Sequence, residues 1–123
     1  MIGYVTIGTN DLTRAAQFSD ALLAAIGGKR FMENGRLVAW SAGEQSPGIG
    51  VCKPYDGNPA TVGNGMMVAI AVDSPEKVQA LYDTALELGG SGEGPPGTRF
   101  GNFYAAYFRD LDGNKLNAFC MTS

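Results

Sequence analysis

A chain of 123 residues, 45% of them hydrophobic, is long enough to bury about two thirds of its unfolded surface, so one core forms without disulfides or a structural metal. Its formal charge of −3 and the even scatter of its 9 lysines and arginines leave no basic stripe for phosphates, which argues against nucleic acid as a partner. The opening MIGYVTIGTND has no cationic segment, and its apolar run stops at Asp11, too short for a signal peptide or a membrane span; a cytoplasmic protein with no membrane contact is expected. Cys52 and Cys120 lie in the apolar runs GIGVC and LNAFC, where a free thiol behaves as a small buried hydrophobe.

Residues Ile2 to Gly8 are rich in β-branched side chains and read as a strand, with Asn10-Asp11 as the cap of a helix. Ala15, Phe18, Leu22, Ala25 and Ile26 recur at helical spacing, and Gly27-Gly28 stops that helix, predicted over Asp11 to Ile26. Three short strands are predicted at Arg30 to Glu33, Arg36 to Ala42 and Ile49 to Lys53, the first two joined through Asn34-Gly35, a hairpin signal. PYDGNPATVGNG, residues 54–65, has no periodicity and reads as a connector.

The pattern then restarts. Met66 to Val72 reads as a strand, Ser74-Pro75 as a cap with proline at the first helical position, Val78, Leu81, Tyr82, Ala85 and Leu88 as a buried face, and Gly89-Gly90 as a stop. A poor strand near Ser91 to Gly94 precedes two better ones, Asn102 to Arg109 and Lys115 to Met121. YVTI at Tyr4 overlays MVAI at Met67, the Gly27-Gly28 stop overlays Gly89-Gly90, Trp40 overlays Tyr107, and Cys52 overlays Cys120, at separations of 62 to 68 residues. One βαβββ unit is thus expected twice, as modules 1–53 and 66–123 of a single domain with the connector 54–65 between them. A ferredoxin-like half without an internal copy is the competing organisation.

The string FYAAYFRDLDGNKLNAFC, Phe103 to Cys120, places an Asp-Leu-Asp-Gly-Asn turn between two strands. A calcium loop is excluded here, because Gly113 comes two residues too early and no glutamate stands at the twelfth position. Together with YVTIGTNDLTRAAQFSDALL and GNGMMVAIAV, the string resembles the vicinal oxygen chelate superfamily of glyoxalases, bleomycin-resistance proteins and extradiol dioxygenases over essentially the whole chain. The resemblance implies an α+β fold in which two βαβββ modules form a curved mixed sheet with a concave cleft.

It also implies metal ligands from the first and last strands of each module. Tyr4, Met67 and Asn117 stand where the family carries two histidines and a glutamate, and Ile49, to within one residue, stands at the fourth position. With no histidine in the chain, no metal and no cofactor is expected. Strand parity around Asn117 puts Lys115, Phe119 and Met121 in the concavity, and likewise Tyr4, Met67, Phe103, Tyr107 and Arg109, with Trp40 as the counterpart of Tyr107. Phe103 and Phe119 fit equally well as core. Arg99, after the loop Gly94 to Thr98, is a candidate fork for an anionic group, against the commoner solvated arginine.

The expected ligand-binding set is therefore Tyr4, Trp40, Met67, Arg99, Phe103, Tyr107, Asn117 and Phe119. No nucleophile–base pair is visible, so no catalytic residue is assigned. The residues point to a bleomycin-resistance-like protein that binds a small apolar or aromatic molecule in a metal-free cleft. A metal-independent glyoxalase-like enzyme and a non-catalytic paralogue acting through protein contacts are the alternatives. The resemblance further implies a homodimer.

Overall fold

The computed structural model describes residues 1–122, and the chain falls into two compact units, Met1–Val62 and the residues from Gly63 on. Each has the order βαβββ. Among the described residues no helix is long and apolar enough to cross a membrane.

In the first unit, β1 (Tyr4–Gly8) leads into α1 (Leu12–Ala24). The Asp11 carboxylate caps the helix by accepting from the Arg14 amide at 3.0 Å, satisfying one of the donors that a first turn leaves orphaned. Ala15, Ala16, Phe18, Leu22 and Leu23 form its buried stripe. The helix ends at Ala24, short of the expected Ile26, because Gly27 takes a left-handed conformation (φ 78°) and the Gly28 amide folds back onto the Leu23 carbonyl at 2.8 Å. Strands β2 (Lys29–Glu33), β3 (Leu37–Ser41) and β4 (Gly48–Cys52) complete a sheet ordered β1-β4-β3-β2, with β1 parallel to β4 and the other pairs antiparallel. At the Asn34-Gly35 turn the Asn34 side chain does the closing, accepting from the amides of Arg36 and Leu37 at 2.8 and 2.9 Å.

The connector is tied to the first unit. Ala60 exchanges two hydrogen bonds with the Asn10 side chain, at 2.7 and 3.2 Å, and Arg36 stacks 5.4 Å from the Tyr55 ring centre while donating to the Lys53 carbonyl.

The second unit repeats the logic. After β5 (Val68–Ala71), Ser74 caps α2 (Pro75–Glu87), whose Val78, Leu81 and Ala85 are fully buried. Gly89 (φ 99°) ends the helix. Strands β6 (Ser91–Phe100), β7 (Phe103–Arg109) and β8 (Lys115–Met121) give the order β5-β8-β7-β6, with β5 parallel to β8. Strand β6 is far longer than the short, poor strand expected, and it runs through Pro95-Pro96. It lies at the sheet edge, where a missing N–H leaves no second neighbour unpaired, and three register shifts against β7 absorb the prolines. The β7–β8 turn is organised by Asp110, which accepts from the amides of Asp112 and Asn114 and from the Asn114 side chain at 2.9 to 3.0 Å, with Gly113 at φ 87°. Burial pushes the Asp110 carboxyl above its ordinary pKa, against the pull of these donors.

Candidate functional site

A strand sends alternate side chains to opposite faces, so burial against α2 sorts β7 and β8 residue by residue. Ala106, Phe108, Leu116, Ala118 and Cys120 are buried with the helix's Val78, Leu81 and Ala85. The face away from α2 carries Phe103, Ala105, Tyr107 and Arg109 from β7 and Lys115, Asn117, Phe119 and Met121 from β8, as their pairing requires. Tyr107 stands directly opposite Asn117, and Asn117 opposite Ala69 of β5.

Two cations rest on the Tyr107 ring: the Arg99 guanidinium 5.3 Å from its centre and the Lys115 ammonium at 5.5 Å. Arg99 belongs to β6, where a loop from Gly94 to Thr98 was expected before it; its guanidinium donates to the carbonyls of Pro95 and Gly97. It lies there because Gly94 and Gly97 have no side chains: a Cβ on Gly94 would come within 3.2 Å of Arg99 Nη2 and 3.3 Å of Tyr107 Cδ2, and one on Gly97 within 3.2 Å of Arg99 Nη1. Arg109 pairs with Glu93 and also donates to the Gly113 carbonyl at 2.8 Å. The hydrogen bond from Arg109 holds the Glu93 carboxyl below its ordinary pKa.

Asn117 is only 1% exposed, and among the described residues its carboxamide oxygen has no hydrogen-bond partner. Beyond it along the same face, Phe100, Phe103 and Phe119 form a ladder, with ring centres 5.0 Å apart and nearly parallel for the first pair and 5.3 Å apart for the second. Phe100 is 69% exposed, and Met121, opposite Phe103, is exposed too. Of the residues expected from sequence, Arg99, Phe103, Tyr107, Asn117 and Phe119 therefore share one face. Met67 precedes β5 and is exposed. Lys115, placed on this face by strand parity, belongs to the same cluster; Glu93 and Phe100 belong to it too and were not expected, and the glycines at 92, 94 and 97 were the available signal, since repeated glycine in a strand marks a close approach.

In the first unit Tyr4 is exposed on the face away from α1 and Phe31 lies on that same face across Gly48, where a Cβ would sit 2.6 Å from Phe31 Cε1. Tyr4, Phe31, Arg30, Ser41 and Pro47 border a groove of about 720 Å³. Trp40 is elsewhere. It is 1% exposed, and its indole N–H donates to the Asp20 carboxylate of α1 at 2.8 Å, so it is a core residue of the helix–sheet layer and does not face the cleft. The expected overlay of Trp40 on Tyr107 is off by one residue: Ala39, opposite Gly50, which is opposite Thr6, corresponds to Tyr107, opposite Asn117, which is opposite Ala69. A one-residue slip moves a side chain to the other face. The same correction replaces Ile49 by Gly50 as the counterpart of Asn117.

The metal expected of the resembled family finds no suitable donors at these positions. Tyr4 offers a phenol, Gly50 nothing, Met67 a thioether and Asn117 an amide, and among the described residues no three histidine, cysteine, aspartate or glutamate side chains cluster.

Comparison with known proteins completes the assignment. A glyoxalase/bleomycin resistance protein from Albidiferax ferrireducens is similar over 99% of both chains, with 36% identity and a TM-score of 0.91. A glyoxalase/bleomycin resistance protein/dioxygenase family enzyme from Burkholderia phytofirmans (17% identity, 98% of both chains, TM-score 0.78) and a fosfomycin resistance protein from Mesorhizobium loti (16% identity, 99% of this chain and 92% of that one, TM-score 0.71) share the fold. No curated protein matches the sequence. Residues 1–118 match the profile of the Glyoxalase/Bleomycin resistance protein/Dioxygenase superfamily, and with the repeated βαβββ unit in place the chain belongs to that superfamily.

Proposed function

We propose that the protein binds a small aromatic molecule without a metal, on the face of the second unit's sheet that carries Tyr107, Asn117 and the phenylalanine ladder. The observation that carries this reading is the unpaired carboxamide oxygen of Asn117. A buried acceptor without a donor costs about 1–3 kcal/mol, a penalty that a fold retains where a ligand's O–H or N–H relieves it. The exposed edge of the stacked phenylalanines supplies the apolar contact, and the polar groups around Tyr107 set orientation. A homodimer is part of the same reading, supported by the exposed Val62, Met66 and Met67 around the junction of the two units.

Asn117→Leu tests the reading, because the two functions of the residue oppose each other. In the free protein an apolar side chain of similar size removes the unsatisfied acceptor, so the melting temperature rises or holds. In a thermal-shift and calorimetric panel of hydroxylated and amino-substituted aryl compounds, compounds that bind the parent protein lose about tenfold or more in affinity to the variant. A variant that melts lower and binds every such compound as the parent does rules out Asn117 as the anchor.

A further inference from the structure

The Tyr107 cluster holds three cations, Arg99, Lys115 and Arg109, beside the carboxylate of Glu93, which is hydrogen-bonded by Arg109 and also feels the charge of Lys115. Among the described residues neither Arg99 nor Lys115 has a carboxylate within ion-pair distance. In a chain whose formal charge is −3, this is a local excess of positive charge on one face of one sheet. Arg99 from β6 and Lys115 from β8 approach the Tyr107 ring from the two strands that flank β7, so both lie within reach of a ligand on this face.

We infer that the ligand is an anionic aromatic compound, an aryl carboxylate bearing a hydroxyl or amino group next to the carboxylate. This rests on the small-molecule reading above and adds the ligand's charge. Arg99 is already oriented by the Pro95 and Gly97 carbonyls, and a planar guanidinium has further N–H donors for a carboxylate. Lys115 supplies the second positive contact. The Asn117 oxygen, on the residue directly opposite Tyr107 in the register, accepts from the neighbouring hydroxyl or amino group. Two residues along β8, about 7 Å at the usual strand rise, Phe119 opens the phenylalanine ladder to the ligand's ring. One or two fused rings span that interval.

The experiment compares 1-hydroxy-2-naphthoate with its uncharged isostere 1-hydroxy-2-naphthamide by calorimetry on the full chain, with acetate as an anion lacking the ring. The naphthoate is expected to bind about tenfold or more tightly than the naphthamide at low salt, as a charge-assisted contact gives, and its advantage shrinks as salt screens the cluster. Acetate binds far more weakly than either. The variant R99Q/K115Q, checked for folding by circular dichroism, loses the preference for the naphthoate over the naphthamide. Equal binding of the two naphthalenes by the parent protein overturns the inference while the small-molecule reading stands. A preference that survives in the double variant overturns the assignment to Arg99 and Lys115. Binding of neither compound to the folded parent overturns both readings.

Discussion

At the scale of single residues, Asp20 shows how one carboxylate on a helix secures a buried indole. It accepts from Trp40 Nε1 at 2.8 Å and from two nitrogens of Arg30 at 2.9 and 2.7 Å, and Arg30 also reaches Glu33 at 2.7 Å and lies 5.7 Å from the Trp40 ring centre. Asp20→Ala is expected to lower stability by about 1–3 kcal/mol, mainly because the buried indole N–H loses its acceptor, and to shift Trp40 emission; urea denaturation followed by fluorescence measures both. The hydrogen bond from Arg30 is the largest influence holding Asp20 below its ordinary pKa of 3.8, and burial opposes it. A carboxylate with a depressed folded pKa contributes stability that is present above the unfolded value and lost as pH falls through the folded one. The stability gap between the parent and Asp20→Asn should therefore be constant above about pH 5 and narrow in acid. A gap that widens on acidification contradicts the pairing. Much of the ion pair is exposed to solvent, so the indole and not the charge dominates the loss.

At the scale of elements, two glycines near β6 separate stability from binding. Gly90, between α2 and β6, is a close approach: a Cβ would lie 2.5 Å from the Arg109 carbonyl oxygen and 2.9 Å from that of Ala85, both backbone atoms that no rotamer change moves. Gly90→Ala should cost about 1–3 kcal/mol or more in urea denaturation, with an unchanged slope. Gly94 meets only the flexible end of Arg99 and the Tyr107 ring, on an edge strand that suits β-branched residues. Gly94→Val should fold, displace Arg99 from Tyr107, and reduce the naphthoate preference over the naphthamide in calorimetry; an unchanged preference would separate Arg99 from ligand binding. The caps and stops of both helices were legible in the sequence, since Asp11, Ser74, Gly27 and Gly89 act on amides and carbonyls within their own turns. The length of β6 was not, because proline is compatible with a strand only once the strand is known to be an edge.

At the scale of the whole chain, the exposed apolar residues at the junction of the units make association the expected state. Sedimentation equilibrium at micromolar concentration should return twice the chain's mass of 12.9 kDa, and a mass of one chain throughout the range contradicts it. Elemental analysis of the purified protein should find no stoichiometric zinc, nickel, manganese or iron, given the phenol, thioether and amide at the positions compared; a full equivalent of any of them would show a donor set elsewhere.

The sequence by itself determined the repeated βαβββ order, the superfamily and the face shared by Tyr107, Asn117 and Phe119, because these depend on periodicity and turn chemistry carried by neighbouring residues. Tertiary structure alone decided which residue of one half corresponds to which of the other. Spacing between the halves varies by a few residues, and the β2–β3 register shifts between Arg30 and Met32, so an overlay of similar strings is uncertain by one position. One position is enough to send Trp40 to the helix and leave Ala39 opposite Gly50, since alternate residues of a strand face opposite ways. The placement of Arg99 over Tyr107 was equally beyond the sequence: it requires β6 to pair with β7 past two prolines, and glycines at 94 and 97 to make room for the guanidinium.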